Sequence, residues 1–431
     1  MISQILFAIV LIAAILVFYK NASKIYRNIR LGKSGQRSDN KPKRLTMMLL
    51  VAFGQKKMFK KPIAAFLHLL VYLGFCIINL EMIEIILDGL LGTHRLMSVL
   101  GDMYNLLIAC FEILAIAVII SCVFFLWRRN VLKLKRLNQA ELNNWPKSDA
   151  NYILITEIIL MSAFLLMNAA DQKLQLLQPH IYPTVGSFPI SQYITGLLPQ
   201  SEKALVIIER GAWWFHIIGV LAFLNYLPIS KHLHIILAFP NTFFSNLNPK
   251  GKFENTKTIT QEVKAMLDPS LPTPDDMEVT RFGVKDVLDL SWKNLLDAYT
   301  CTECGRCTAS CPANITGKLL SPRKIMMDTR DRIEEVGNNM TKNKEFLDDG
   351  KYLLDTYISR EEIWACTSCN ACVEQCPVNI NPLEIIMGLR QFVTMEESKA
   401  PASINNMFNN LENNGAPWKY AQADRANWTN N

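Results

Sequence analysis

Apolar residues crowd the first 240 positions in five blocks separated by charged stretches. The blocks are Ile2–Tyr19, Pro62–Leu90, Met103–Trp127, Tyr152–Ala170 and Ala204–Leu227, with apolar character continuing past the last as far as Leu237. Each supplies about the 20 residues of helix that a hydrocarbon core of about 30 Å demands, so the pattern predicts five membrane-spanning helices. Leu45–Phe53 is apolar but too short to span, and Lys56, Lys57, Lys60 and Lys61 follow it, which predicts a segment lying along the interface. Residues 241–285 are polar and, with Pro240 at their start, broken by Pro249, Pro269, Pro272 and Pro274; they predict a linker holding one helix over Thr258–Leu267. Beyond it, Val287, Leu290, Trp292, Leu295 and Leu296 recur at helical spacing and predict an amphipathic helix over Asp286–Tyr299. Pro322–Val336 and Lys344–Tyr357 read as two more helices. The Asn-rich tail, 397–431, reads as a docking strap or a disordered end. The expected fold is all-α: a five-helix transmembrane bundle over 1–240, a linker over 241–285, and an α-helical two-cluster ferredoxin domain over 286–396.

Charge gives the bundle an orientation. Residues 20–61 carry thirteen Lys/Arg and one acid, Asp39, and 128–151 carry six Lys/Arg. The alternate loops hold only Arg95 (91–102) and Lys173 and Lys203 (171–203). By the positive-inside rule the N-terminus lies outside, and the C-terminal domain lies in the cytosol beneath a bacterial inner membrane. The first block resembles a secretion signal in length, but no positive residue precedes it and Lys20, Lys24, Arg27 and Arg30 follow it, so a retained helix is expected. The net charge of +7 is thus a matter of topology, and no nucleic-acid partner is expected.

Eight of the eleven cysteines fall in two runs of identical spacing: Cys301, Cys304, Cys307, Cys311-Pro312 and Cys366, Cys369, Cys372, Cys376-Pro377. In such runs three close thiolates hold three irons of one 4Fe-4S cube, and the fourth cysteine, ahead of proline, serves the other cube. The spacing assigns one cluster to Cys301, Cys304, Cys307 and Cys376 and a second to Cys366, Cys369, Cys372 and Cys311. Zinc rarely needs four cysteines in one run and does not explain the repeat, and a disulfide framework suits a small secreted domain. Cys76, Cys110 and Cys122 lie in apolar blocks and read as buried small side chains. Arg306 and Lys324, close to the first run, read as solvated charges, with tuning of a cluster or docking of a partner as the alternative. No Gly-rich nucleotide fingerprint is present, so nothing points to a flavin or nucleotide site.

Histidines in membrane helices are costly and therefore candidate ligands. His216 and His234 are 18 residues apart, five turns of a continuous helix, which would place both on one face about 27 Å apart. His232 would face elsewhere, and Pro228 would kink the helix. The second helix runs outward and the fifth inward, so His68 and His234 meet near the cytosolic surface, where two imidazoles are expected to hold one b-type haem. His216 is a candidate for a second haem or a quinone site, with a satisfied buried hydrogen bond as the plainer alternative.

Residues 62–240 resemble the cytochrome b subunit of respiratory nitrate reductase. The likeness rests on Trp213-Trp-Phe-His216 through Leu227-Pro-Ile-Ser-Lys-His-Leu-His234, in its histidine spacing, its Pro-x-Ser step and the closing histidine. That family carries a further ligand ten residues after His68, where this chain has Ile78; His94 is the nearest substitute, with His180 more distant. Residues 290–395 resemble the small two-cluster subunit of heterodisulfide reductases and the related domain of succinate dehydrogenase iron–sulfur subunits. Trp292–Lys324, with Cys-Thr-Glu-Cys-Gly-Arg-Cys and Asn314-Ile-Thr-Gly-Lys, is similar to membrane-bound oxidoreductases that link electron-transfer flavoprotein to menaquinone. Those proteins continue into a module with paired Cys-Cys-Gly motifs, whereas no cysteine follows Cys376 here.

The resemblance implies a quinone-linked electron-transfer subunit of a respiratory oxidoreductase, with menaquinone as substrate. Its expected partner is a cysteine-rich (Cys-Cys-Gly type) iron–sulfur protein that bears the catalytic module, or electron-transfer flavoprotein. No catalytic residue is identified within this chain, and either direction of electron flow uses the same parts. Two alternatives differ in class. A membrane metal-reductase or oxidase-assembly factor would carry a clustered Cys or Met motif in the membrane. An anchoring subunit would hold structural clusters and no haem.

Overall fold

The computed structural model describes residues 1–430 apart from 36, 250, 254, 256, 269 and 271–280. Pro269, Pro272 and Pro274 of the expected linker lie outside the described residues. Sixteen α-helices are described. The membrane half holds α1 (Ile2–Ile29), α2 (Lys41–Met48), α3 (Pro62–Leu91), α4 (Asp102–Asn130), α5 (Trp145–Leu177), α6 (Glu202–Tyr226) and α7 (His234–Phe243). After α8 (Lys257–Leu267) come α9 (Trp292–Thr300), α10 (Arg306–Ala309), α11 (Pro312–Ile315), α12 (Pro322–Asn343), α13 (Arg360–Ala365), α14 (Ala371–Gln375), α15 (Pro382–Gln391) and α16 (Ala402–Asn414). Among the described residues there is no strand, only isolated bridges. The fold is all-α, a transmembrane bundle followed by a helical ferredoxin-like unit.

Five helices are long and apolar enough to cross a membrane: α1, α3, α4, α5, and α6 with the turn after it. The chain is therefore a membrane protein. Their ends carry ordinary helix signals. Pro62 opens α3 and Gly92 closes it at φ +74°, while Asp102 sits in the first turn of α4 and Arg128 and Arg129 in its last, complementing the helix dipole. α5 packs against α4 and α6, α3 against α4, and α1 against α3 and α6. Phe7, Ile108, Phe164 and Ile217 fill the space between them, and Ile9, Ile12, Ile113 and Ile120 cover the outside, as contact with lipid requires.

Three expectations are corrected. The fifth span is not one helix through His234. It ends at Tyr226, passes through two 3₁₀ turns (Leu227–Ile229 and Lys231–Leu233) and restarts as α7. Pro228 lacks an N–H to continue the ladder, and Asp149 of α5 stabilises the break by accepting from the Tyr226 hydroxyl (2.5 Å) and Lys231 N (3.1 Å). Lys344–Tyr357 is not a helix: Lys344 leaves α12 at φ +68°, and Leu353–Tyr357 is a kinked turn. The helix expected over Asp286–Tyr299 starts only at Trp292, where Ser291 and Asn294 form a capping box.

The second core gathers Leu295, Ile325, Ile333, Val336, Ile385 and Leu389. Ile25 and Ile29, from the last turns of α1, belong to it as well. α1 thus outruns its apolar block by ten residues and serves both halves of the molecule. A main-chain clip holds it there: Lys33 N donates to Leu290 O (2.7 Å) and Trp292 N to Lys33 O (3.1 Å). Beside the clip, Asn28 donates to the Tyr299 hydroxyl (2.9 Å), which donates to Glu334 (2.5 Å), itself paired with Lys24 (2.6 Å).

Candidate redox-cofactor sites

The two cysteine runs repeat as backbone as well as sequence. Each follows a short helix started by a capping box, α9 from Ser291 and α13 from Ser359. Cys301 and Cys366 end those helices in the extended region. Glu303 and Ser368 then both take φ +55°, and Gly305 and Asn370 take φ +70° and +59°, which turns the chain back so that successive thiols face one point. Cys311 and Cys376 are extended again (φ −75°, ψ 119° and φ −70°, ψ 123°), and each is followed by proline. The left-handed turn at Gly305 also needs the missing side chain, because a Cβ there would lie 2.5 Å from Arg323 Nη1 and 2.8 Å from Arg136 O.

The thiols enclose two voids. One is bordered by Cys301, Cys304, Cys307 and Cys376. The other is bordered by Cys311, Cys366 and Cys369. Cys372 borders both. Among the described residues no three His, Cys, Asp or Glu side chains converge tightly enough for a single metal ion. Thiols spread around a void instead suit a cube, in which each iron takes its own thiolate. Burial pushes the Cys301 and Cys372 thiols up to about 12 and Cys376 up to about 11, so thiolates here need a bound cation to hold their charge at neutral pH. Main-chain N–H groups already point at sulfur, from Ser368 to Cys366 Sγ (3.4 Å) and from Ile380 to Cys376 Sγ (3.3 Å). The residues fit the group.

The first void faces the bundle. Lys57, in the segment between α1 and α3, donates to Val373 O (3.1 Å) and Cys376 O (3.2 Å), and Arg136, between α4 and α5, donates to Cys304 O. Arg323, fully buried, joins the same loop through Arg136 O (2.6 Å) and Glu141 (2.8 Å). Arg306 is not the solvated charge expected; it is 7% exposed and reaches Lys57 O at 3.4 Å. Lys324 is paired with Asp328 (2.7 Å) and Glu362 (3.0 Å). Glu303 lies between Lys231 (2.6 Å) and Arg330 (2.8 Å); burial opposes its charge, and the two cations more than offset that, holding the carboxyl below the usual range.

His68 and His234 meet on this side of the bundle, with ring centroids 6.3 Å apart. An imidazole–metal bond is about 2.0 Å, so two of them plus the two ring radii take about 6 Å, and the spacing would admit one iron held by both rings. Each ring commits Nδ1 elsewhere: His68 to Gln55 Oε1 (3.1 Å) and His234 to Lys231 O (2.9 Å). This leaves Nε2 of each ring uncommitted, the arrangement in which a second hydrogen bond orients a metal-binding histidine. His232, expected to face elsewhere, is also here, 5.9 Å from His234 and against Phe223.

His216 is buried, with Nδ1 bonded to Leu160 O (3.0 Å) and its ring beside Phe164. Ile78 lies buried in the apolar cluster that contains Phe164 and Leu160. Both His94 nitrogens are occupied, by Asp171 (2.9 Å) and Arg210 (3.4 Å), so His94 offers no ring nitrogen to pair with His216. Gln55, Lys57, Arg136 and Lys231 carried no sequence signal beyond a basic loop. Their roles come from contacts between segments far apart in the chain.

Residues 300–380 match the family model of the 4Fe-4S dicluster domain, which makes this unit an iron–sulfur electron-transfer domain. Across its length the chain is 30% identical to the "Probable iron-sulfur-binding oxidoreductase FadF" of Bacillus subtilis, the match covering 99% of this chain and 60% of that protein. It is 26% identical to the "EtfAB:quinone oxidoreductase" of Syntrophomonas wolfei, over 91% of this chain and 54% of the relative. A shorter match, 31% identical over 25% of the chain and 52% of the relative, is to one component of the ferredoxin:CoB-CoM heterodisulfide reductase of Methanosarcina mazei. The chain thus spans little more than half the length of these first two relatives. No solved structure matches it.

Proposed function

We propose that this chain is the membrane-bound electron-transfer part of a quinone-linked respiratory oxidoreductase, working between a cytosolic partner and menaquinone. Cys301, Cys304, Cys307 and Cys376 hold one 4Fe-4S cluster, Cys366, Cys369, Cys372 and Cys311 the other, and His68 and His234 a haem b; when bound, these groups supply the one-electron carriers. The observation that carries the reading is their succession in space. Cys304 and Cys376 of the first thiol-lined void are contacted by Arg136 and Lys57, from the loops beside the paired histidines, and the second void is bordered by Cys311, Cys366 and Cys369. Lys231 links the two kinds of site, its carbonyl accepting from His234 and its ammonium pairing with Glu303 in the first cysteine loop.

The cytosolic partner docks at the second void, where Cys369 is the exposed member of the eight thiols and Ile315 and Leu319 are 67% and 60% exposed. Its chemistry is that of electron-transfer flavoprotein or of a cysteine-rich (Cys-Cys-Gly type) iron–sulfur subunit, in keeping with the relative named for EtfAB and quinone. Residues 1–240 form the membrane domain, N-terminus outside, and 286–396 the cytosolic domain beneath a bacterial inner membrane. His216, enclosed at mid-bundle, lines the quinone site. The test is anaerobic isolation in mild detergent followed by iron analysis, a dithionite-reduced spectrum and a quinone-reductase assay against candidate donors. About eight cluster irons, b-type bands and quinone turnover are expected. Zinc in place of iron, or reduction without b-type bands, would overturn the assignment.

A further inference from the structure

The end of the bundle opposite the cysteine loops holds ionisable side chains that the electron path does not use. On α3, Glu81, Glu84 and Asp88 follow at intervals of three and four residues, share one face, and span about 10 Å of helix. They are only 3%, 3% and 9% exposed. Asp88, in the last turn, accepts from Arg95 N (2.8 Å), Leu96 N (3.1 Å) and the Thr93 hydroxyl (2.5 Å). Glu84 accepts from Met97 N (2.8 Å) and from the Tyr104 hydroxyl (3.0 Å), which Arg95 also contacts (3.0 Å). Arg95 continues to Asp171 (2.7 Å), and Asp171 to the part-exposed His94 ring (2.9 Å).

Glu81 departs from this pattern. Its Oε2 is buried with no hydrogen-bond partner, and it lies one turn from Ile78, which belongs to the apolar cluster with Leu160 and Phe164. Arg95, Glu84 and Glu112 are the charged groups within electrostatic reach. An ionisable group buried in a membrane bundle is expensive and marks function by default, and a merely structural acid would be matched as its two neighbours are.

We propose that Glu81, Glu84 and Asp88 form a proton relay between a quinone held at mid-bundle and the aqueous face opposite the iron–sulfur domain. The proposal rests on the quinone-linked reading above. Reducing one quinone to its quinol takes two electrons from the cytosolic donor and two protons, and turns both carbonyl oxygens into hydroxyls. The protons pass one after the other from the Glu81 carboxylic acid, which regains each through Glu84 and Asp88 from outside water; quinol oxidation runs the same transfers in reverse. Arg95 and Tyr104 are positioning residues that hold Glu84 in line.

The test uses the full chain, with clusters and haem, in liposomes enclosing a pH-sensitive dye. Dithionite outside acts only on molecules whose iron–sulfur domain faces outward, and a short-chain naphthoquinone is the acceptor. The wild type is expected to make the interior alkaline as it turns over. Glu81→Gln should reduce the haem at the wild-type rate, keep the wild-type melting temperature because Oε2 has no bond to lose, and slow quinone reduction at least tenfold, with Glu81→Asp restoring part of it. Unchanged turnover in Glu81→Gln, or wild-type protons drawn only from the outer medium, would overturn the relay. A wild type that reduces no quinone defeats the quinone reading instead. The relay is then decided by the redox-difference infrared spectrum, supported by a carboxylic C=O band that vanishes in Glu81→Gln and refuted by its absence.

Discussion

Cys311 and Cys376 are each near one trio of cysteines in sequence and beside the other in space. On the proposed assignment, Cys311→Ala removes a ligand from the cluster built on Cys366, Cys369 and Cys372 and spares the cluster on Cys301. Iron should fall from about eight by one to four, and the EPR signal of a single cluster should change. Loss confined to the other cluster would refute the crossover. The histidines allow a matching test. On the proposed assignment, His68→Ala and His234→Ala should each abolish the same b-type bands, while His232→Ala keeps them, because of the three rings only the first two have Nδ1 held by a hydrogen bond. The cysteine arrangement was legible in the sequence because the spacing itself encodes it. The histidine pair was legible from topology, whereas Gln55 and Lys231 were not, since a hydrogen bond to a ligand leaves no periodic trace.

Elements were legible where length and apolar content decide them, and missed where tertiary contacts do. The five spans followed from the apolar blocks. The break after Tyr226 depends on Asp149, 77 residues upstream, which gives the freed backbone a partner. Residues 344–352 have the composition of a helix, but Arg332 of α12 holds them in another shape. Its fully buried guanidinium forks between Asp286 (2.7 Å) and Asp349 (2.6 Å) and also meets Lys351 O (2.6 Å). Arg332→Ala strands two carboxylates and should cost about 3–5 kcal/mol, read as a lowered unfolding midpoint. The Asp349 arm has a pH signature. Its hydrogen bond to Arg332 holds the carboxyl below its usual 3.8, so its contribution is complete above the unfolded value and fades as pH falls through the folded one. The stability gap between wild type and Asp349→Asn should therefore stay constant from neutral pH down to about 5 and close as the pH falls past the usual 3.8 and through the lower folded value. A gap that persists undiminished at the acid end would mean that Asp349 acts through packing alone.

At the scale of the whole molecule, α1 is what makes a membrane bundle and an iron–sulfur unit into one body. Phe7 anchors its outer half in the bundle core, and Ile25 and Ile29 enter the soluble core. Gly32, three residues beyond its end, passes so close to the other half that a Cβ there would lie 2.5 Å from Trp292 N. Because the obstacle is backbone, it has no flexible side chain to yield. Gly32→Val should force the clip between Lys33 and Leu290 to open while leaving every proposed cofactor ligand untouched. Iron content and b-type bands should stay at wild-type levels. What should change is communication across the seam: reduction of the proposed haem by a donor to the iron–sulfur domain should slow at least tenfold, since electron transfer depends steeply on the spacing that Lys57, Arg136 and Lys231 maintain. The segment between α7 and α9 should become more open to protease at the same time. Lys231→Met makes a narrower cut, removing the ion pair with Glu303 while keeping the carbonyl that orients His234, so the two variants separate docking from ligand geometry. If Gly32→Val slows the haem and Lys231→Met does not, the close approach of the two halves sets the rate; equal slowing assigns it to the Lys231–Glu303 contact; wild-type rates in both would mean that the path from soluble domain to bundle runs elsewhere.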